Sequence, residues 1–251
     1  MSTNYASLPR LYINTPLSPG EIVLLASHQS HYLCTVLRSA AQDQVRIFNQ
    51  SQGEYLAEVI KSHARAAALK VLSLLRPHET PSPLTLVFAP LRKERLHFLV
   101  EKAVELGVSS LMPILTDRTT QRNFSEEKAE KHIIEATEQS ERLGLATLAP
   151  LQSLTQLLTA WPEDHILFFC KERSGAEPLA QSLLDQSDHA PGAFLVGPEG
   201  GFTDQEALFI ESFPFVRPIS LGYHILRSET AAISALGFWQ LYQNQKRSLL
   251  C

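Results

Sequence analysis

Two stretches of this 251-residue chain carry residue types and spacings that could do chemistry. In LVGPEGGFT (195–203), an apolar run through Val196 leads into Gly197, Pro198, Glu199, Gly200 and Gly201, and then into a helix-start signal. Three glycines in five residues let a backbone approach a ligand closely and admit positive φ. Pro198 limits the entropy lost on fixing the loop. The loop lacks the Gly-Lys-Ser/Thr ending of a Walker loop and the spacing of a dinucleotide fingerprint. A tight strand-to-helix turn explains the same residues equally simply.

The second stretch is SLGYHILRSETAA (220–232). Gly222 breaks a strand, Ile225 and Leu226 are apolar residues in a loop, and Arg227 precedes Ser228-Glu229-Thr230 at a helix start. Helix capping and dipole stabilisation account for Ser228 and Glu229. They leave Ile225, Leu226 and Arg227 unexplained, because an apolar loop tip needs a cover. A flat apolar ring such as adenine would serve.

The elements that position these loops follow from periodicity. Before residue 78, short β-branched or aromatic runs (10–14, 21–25, 44–49, 54–60 and 68–75) are separated by turn signals, with one helical stretch at 27–38. A small β-barrel or rolled sheet is expected, because short strands with one covering helix must close or be capped. Arg76 to Leu84 holds Pro77, Pro81 and Pro83 and reads as a stiff linker. After it, strands at 84–88, 109–115, 165–170, 192–196 and 217–221 alternate with helices. That alternation predicts an α/β fold with a mainly parallel sheet covered on both faces, in which ligands lie beyond the carboxyl ends of the strands. The domains expected are 1–78 and 79–251.

Charge divides at the same place. Residues 1–78 carry seven Lys/Arg against four Asp/Glu, and the remainder carries fifteen against twenty-two, for a chain net of −4. A basic module joined to an acidic body is compatible with polyanion contact through the first part, and ordinary surface variation explains it as well. Cys34, Cys170 and Cys251 are odd in number and far apart, so neither a disulfide framework nor a metal site is expected. His31 reads as a packing histidine and Cys170 as a small buried hydrophobe. No apolar run approaches the roughly 20 residues that cross a bilayer. The start, MSTNYASLPR, has no secretory core, and the expectation is a cytoplasmic protein without membrane contact.

GPEGGF followed by LGYHILRSETA closely resembles the ribosomal RNA small subunit methyltransferase E family, members of the SPOUT superfamily that methylate N3 of one uridine in 16S rRNA. The likeness also covers Arg10-Leu11-Tyr12, His31 with Val36-Leu37-Arg38, Glu101-Lys102 with Glu105 to Val108, and Glu138-Gln139-Ser140 with Arg142. It implies a C-terminal trefoil-knot methyltransferase domain, an N-terminal PUA-like β-barrel that binds RNA, and a homodimer acting on 16S rRNA within the small ribosomal subunit. It also implies bound S-adenosylmethionine, held by three loops: Phe168, Phe169 and Cys170; Val196 to Gly201; and Leu221 to Thr230, with Gly222, Ile225, Leu226 and Arg227 between. The chain departs from the family pattern at Arg92-Lys93, where a basic residue is usually followed by Gly. It departs again at Ser140-Glu141, where Cys-Gly is frequent.

On that resemblance Arg227 is the first candidate cation to favour a uridine anion, and Arg10 the second. Glu199 or Glu229 could accept the proton, and the base stays open between them. Arg10, Arg38, Arg118, Arg122 and Arg142 are the nominated RNA contacts. Two other readings remain: a knotted methyltransferase acting on another RNA or on ribose 2′-oxygen, and a PUA-like RNA binder without catalysis.

Overall fold

The computed structural model describes residues 5–80, 82–171, 175–184 and 191–249. By backbone proximity the chain forms two compact units: Met1–Thr80 with Thr137–Leu145, and Pro81–Ala136 with Ala146–Cys251. The division at Thr80 falls inside the proline-rich stretch.

In the first unit, β1 (Arg10–Tyr12), β2 (Ile22–Leu24), β3 (Gln44–Asn49), β4 (Gly53–Lys61) and β5 (Ala68–Arg76) form one sheet in the order β1-β3-β4-β5-β2. Only β1 and β3 run parallel. Leu11, Val23, Ile47, Val59 and Leu69, one from each strand, meet in a single buried cluster. A flat five-stranded sheet could not bring its two edge strands to one core, so this one curves around it. The expected helix is α1 (Ser27–His31), continued by a π-helical turn from Tyr32 to Val36. Leu33 from that turn plugs the core, whereas His31, expected to pack, is exposed.

The segment 137–145 is held to this unit by buried charge. Arg10 donates to Glu54 at 2.5 Å and to the carbonyls of Thr137, Glu138 and Arg142. Its guanidinium also lies over the Phe48 ring, 3.6 Å from the centroid. Glu54 receives Arg76 at 2.8 Å as well, and Arg46 pairs with Glu141 at 2.8 Å. A buried guanidinium with every nitrogen engaged avoids the cost of an unpaired internal charge.

In the second unit, β6 (Leu84–Phe88), α2 (Lys93–Glu105), β7 (Ser110–Leu115) and α3 (Glu126–Gln139) come first. The two-residue strands β8 (Thr147–Leu148) and β9 (Gln152–Ser153), α4 (Leu154–Thr159) and β10 (Leu167–Cys170) follow. Next are β11 (Glu177–Pro178), α5 (Leu179–Leu184), β12 (Gly192–Val196), α6 (Asp204–Glu211), β13 (Val216–Ser220) and α7 (Ser228–Leu249). The sheet order is β11-β13-β10-β12-β6-β7-β8, with β9 on β7, and every pairing among the described residues is parallel. Local signals account for the element ends. The N–H groups of Gly107 and Val108 bond back to Val104 and Ala103, closing α2 in a Schellman motif. Thr203 and Glu206 form the capping box that starts α6. Phe168 stacks on Phe194, and Trp239 of α7 meets Phe194 edge-on in the buried interior, so Trp239 belongs to the core. No described helix is long and apolar enough to cross a membrane.

Candidate functional site

Strand β10 lies between β12 and β13: Phe169 is in register with Leu195 on one side and Pro218 on the other. Parallel strands end at the same edge, so the segments after Cys170, Val196 and Ser220 leave the sheet side by side. The glycine turn and the Arg227 loop are joined directly. Ser228 Oγ, at the first residue of α7, donates to the Gly197 carbonyl at 2.6 Å. Capping alone would leave that hydroxyl proton unassigned; here it ties one loop to the other.

The glycine turn is braced from below and from one flank. The Phe202 ring lies under Gly197, where an added Cβ would fall 2.7 Å from it, and stands edge-on to Phe169. Gly201 takes φ +66° and its N–H closes a turn onto the Pro198 carbonyl at 2.9 Å. Arg118 Nη1 donates to the carbonyls of Gly200 (3.0 Å) and Phe202 (3.3 Å). The Asp117 N–H donates to Glu206, the same carboxylate that closes the capping box. These contacts fix the backbone while Glu199 and Gly200 stay exposed.

The electrostatic centre is a residue that sequence reasoning missed. Arg95, in the first turn of α2, places Nη1 4.0 Å from Glu199 and Nε 3.7 Å from Glu229. Glu229 is 8% exposed, and its Oε2 is buried with no hydrogen-bond partner among the described residues. An orphaned carboxylate oxygen is costly to bury, which sets this atom apart from the satisfied polar groups around it. A signal for Arg95 did exist. It opens the helix after β6, and β6 pairs with β12, so it sits at the same carboxyl edge as the glycine turn.

The other nominated residues divide clearly. Tyr223, His224 and Ile225 are exposed at the tip, Leu226 is half-buried, Leu221, Gly222 and Arg227 lie along the same loop, and Thr230 follows in the first turn of α7. Phe168 and Phe169 are fully buried core rings, so only their main chain can face a ligand. The Cys170 thiol is desolvated and its pKa is pushed up to about 12, which makes it inert rather than reactive.

Arg10 requires a correction. It belongs to the first unit, is 7% exposed, and has all three guanidinium nitrogens bound internally, which suits neither a catalytic cation nor a phosphate contact. Burial lowers its pKa despite Glu54. Arg118 likewise serves the glycine turn, although its side chain remains exposed. Arg142 is half-buried, and desolvation brings its pKa down to about 10, unlike a solvated phosphate contact. Arg38 and Arg122 are exposed.

Comparisons with known proteins identify the family. A family model described as an RNA methyltransferase domain matches residues 78–240, and one described as an RNA methyltransferase PUA domain matches residues 25–72. The ribosomal RNA small subunit methyltransferase E of Rickettsia conorii is 33% identical over 228 residues, covering 90% of this chain and 93% of the relative. A Legionella pneumophila methyltransferase solved with bound SAM superposes with a TM-score of 0.83 at 28% identity, over 93% of this chain and 97% of its own. The Neisseria gonorrhoeae ribosomal RNA small subunit methyltransferase E, solved bound to S-adenosyl methionine, gives 0.81 at 25%, over the same shares. The architecture implied by the resemblance, a SPOUT α/β domain behind a PUA-like module, is the one these matches return. The chain belongs to the ribosomal RNA small subunit methyltransferase E family.

Proposed function

We propose that this enzyme transfers the methyl group of S-adenosylmethionine to N3 of a uridine in 16S rRNA, in the cytoplasm and as a homodimer, with the small ribosomal subunit as the source of its substrate. One observation carries the reading: the 2.6 Å bond from Ser228 to Gly197 joins the glycine turn to the end of the Arg227 loop, which supports reading them as two walls of one site. The residues present fit the cofactor. Backbone from Gly197 to Gly201 and from Leu221 to Leu226 would hold it. A Cβ at Gly201 or Gly222 would meet nothing within 4 Å, so the main chain there is open to close approach. Ile225 and Leu226 supply apolar cover for a purine.

The sulfonium supplies an activated methyl electrophile, which leaves this chain the tasks of alignment and deprotonation. Uracil N3–H is a weak acid, and a proton must leave before or during attack. Glu229 is the proposed acceptor, supported by an Oε2 without a hydrogen-bond partner among the described residues and by the Arg95 charge 3.7 Å from Oε1. Arg227, exposed one helical turn before the Ala231 N–H that its carbonyl accepts, offers the cation that favours the uridine anion. N3 is occupied in a Watson–Crick pair, so the target must be unpaired or extruded at a cost of a few kcal/mol. Of the residues nominated for RNA contact, Arg38 in the first unit and Arg122 in the second are exposed and offer charge to backbone phosphates.

The test is direct. Small subunits from cells lacking the protein are incubated with enzyme and labelled methyl donor, then digested to nucleosides. Label in 3-methyluridine at one 16S position is the expected result. Label on a ribose 2′-oxygen, or none, overturns the reading.

A further inference from the structure

Away from the glycine turn, α2 and α3 bring two histidines together within the second unit. The rings of His97 and His132 stack with centroids 3.7 Å apart and planes 18° from parallel. Each has a carboxylate on its own helix: His97 Nε2 lies 3.7 Å from Glu101, and His132 Nδ1 lies 3.6 Å from Glu135. Both separations are too long for hydrogen bonds. His132 Nδ1 is nevertheless shielded from solvent and has no hydrogen-bond partner among the described residues. One ring nitrogen of each histidine and one oxygen of Glu135 all lie within 4.8 Å of one another.

We propose that His97, His132 and Glu135 form a binding site for a divalent transition metal of the zinc class, clamping α2 to α3. The chemistry of the donors selects the metal. Two imidazoles and one carboxylate suit zinc, cobalt, nickel or copper, whereas calcium and magnesium prefer an all-oxygen shell. Ligands bound at about 2.0 Å in a tetrahedron sit about 3.3 Å apart, close to the separation found between His132 and Glu135. Histidine χ2 is a soft torsion, so both rings can turn their nitrogens towards one ion without moving either helix. Lys102 holds Glu101 Oε1 at 2.7 Å, which leaves Oε2 towards His97 as a second carboxylate beside the site. Solvent completes the coordination, since the side chains of His97 and Glu135 are 47% and 69% exposed.

The test uses the full-length protein after treatment with a chelator. Titration with zinc chloride in a calorimeter should give one site per chain, and cobalt(II) should give a visible d–d spectrum without a thiolate charge-transfer band, which sets Cys34 and Cys170 aside. His132→Gln should weaken zinc binding by about tenfold or more, and Glu135→Gln should weaken it measurably. His97→Gln, a change on an exposed helix face, keeps the test valid if His132→Gln does not fold. Bound metal should also raise the midpoint of thermal unfolding, an effect lost in the variants. Absence of zinc binding, or equal binding by wild type and His97→Gln, overturns the proposal. Neither outcome touches the methyltransferase reading, since none of these residues lies at the glycine turn.

Discussion

The hydroxyl of Ser228 and the carbonyl of Gly197, 2.6 Å apart, join the loops after two strands that are not neighbours in the sheet. Strand β10 runs between β12 and β13, so the bond spans the edge of an intervening strand. It does so at the point where three strands deliver their loops together. Ser228→Ala should leave the fold intact, cost about 1 kcal/mol of stability and weaken S-adenosylmethionine binding by roughly fivefold. Calorimetric titration checks this; unchanged cofactor affinity would show that the two loops hold their positions independently.

Arg95 lies between Glu199 and Glu229, and its effect should be read in the chemical step. Arg95→Ala should slow single-turnover methylation about tenfold or more, with Arg95→Lys intermediate because a point charge replaces the two-pronged contact. Arg227→Ala should also lose transfer while cofactor binding survives. Full single-turnover rates in both variants would remove these cations from the mechanism.

The arginines separate into buried and exposed groups, which gives opposite expectations for two residues once nominated for the same task. Arg10→Met should destabilise the protein by roughly 3 kcal/mol, because Glu54 and three carbonyls lose a buried donor. Arg38→Glu should leave stability within about 0.5 kcal/mol and reduce the salt dependence of RNA binding by about one phosphate equivalent. Denaturant melts and filter binding across a salt series distinguish the two, and an unchanged salt slope for Arg38→Glu would remove it from the RNA surface.

Glu141 stands where the family pattern has glycine, and its backbone takes φ +59°. The Arg46 pair and an Arg76 bond to its carbonyl hold it there. Glu141→Gly should therefore change stability by less than about 1 kcal/mol, as relief of left-handed strain offsets the lost pair. Glu141→Val should cost more, since it loses the pair and keeps the strain. A valine variant as stable as the glycine variant would rule out strain at this position.

Acid stability tests the same carboxylate. The hydrogen bond from Arg46 holds the Glu141 pKa below its ordinary 4.5. A depressed folded pKa contributes stability that is complete above the unfolded value and is lost as pH falls through the folded one. Wild type should thus lose more stability than Glu141→Gln on acidification from about pH 5 to about pH 3. The contribution is small, because this half-exposed pair is screened by water. Parallel pH profiles for the two proteins would mean that the pair contributes nothing.

What the sequence determined is what local rules can write. Alternation set the five short strands of the first unit. The helical stripe through Leu99, Val100 and Val104 with Gly107 behind it set α2, and Thr203 with Glu206 set the start of α6. The glycine turn and the Arg227 loop were legible because glycine, proline and an uncovered apolar tip are local anomalies. Two-residue strands such as β8 and β9 were not, being too short to show a period.

The tertiary structure alone decided which residues meet. Sheet order placed β10 between β12 and β13 and brought Ser228 to Gly197. The pairing of β6 with β12 carried Arg95 to the site, and the return of residues 137–145 to the first unit buried Arg10. An arginine looks the same in sequence whether its guanidinium faces water or a buried glutamate. Only long-range strand pairing settles that, because its register is set by side chains far apart in the chain and not by the periodicity of either strand.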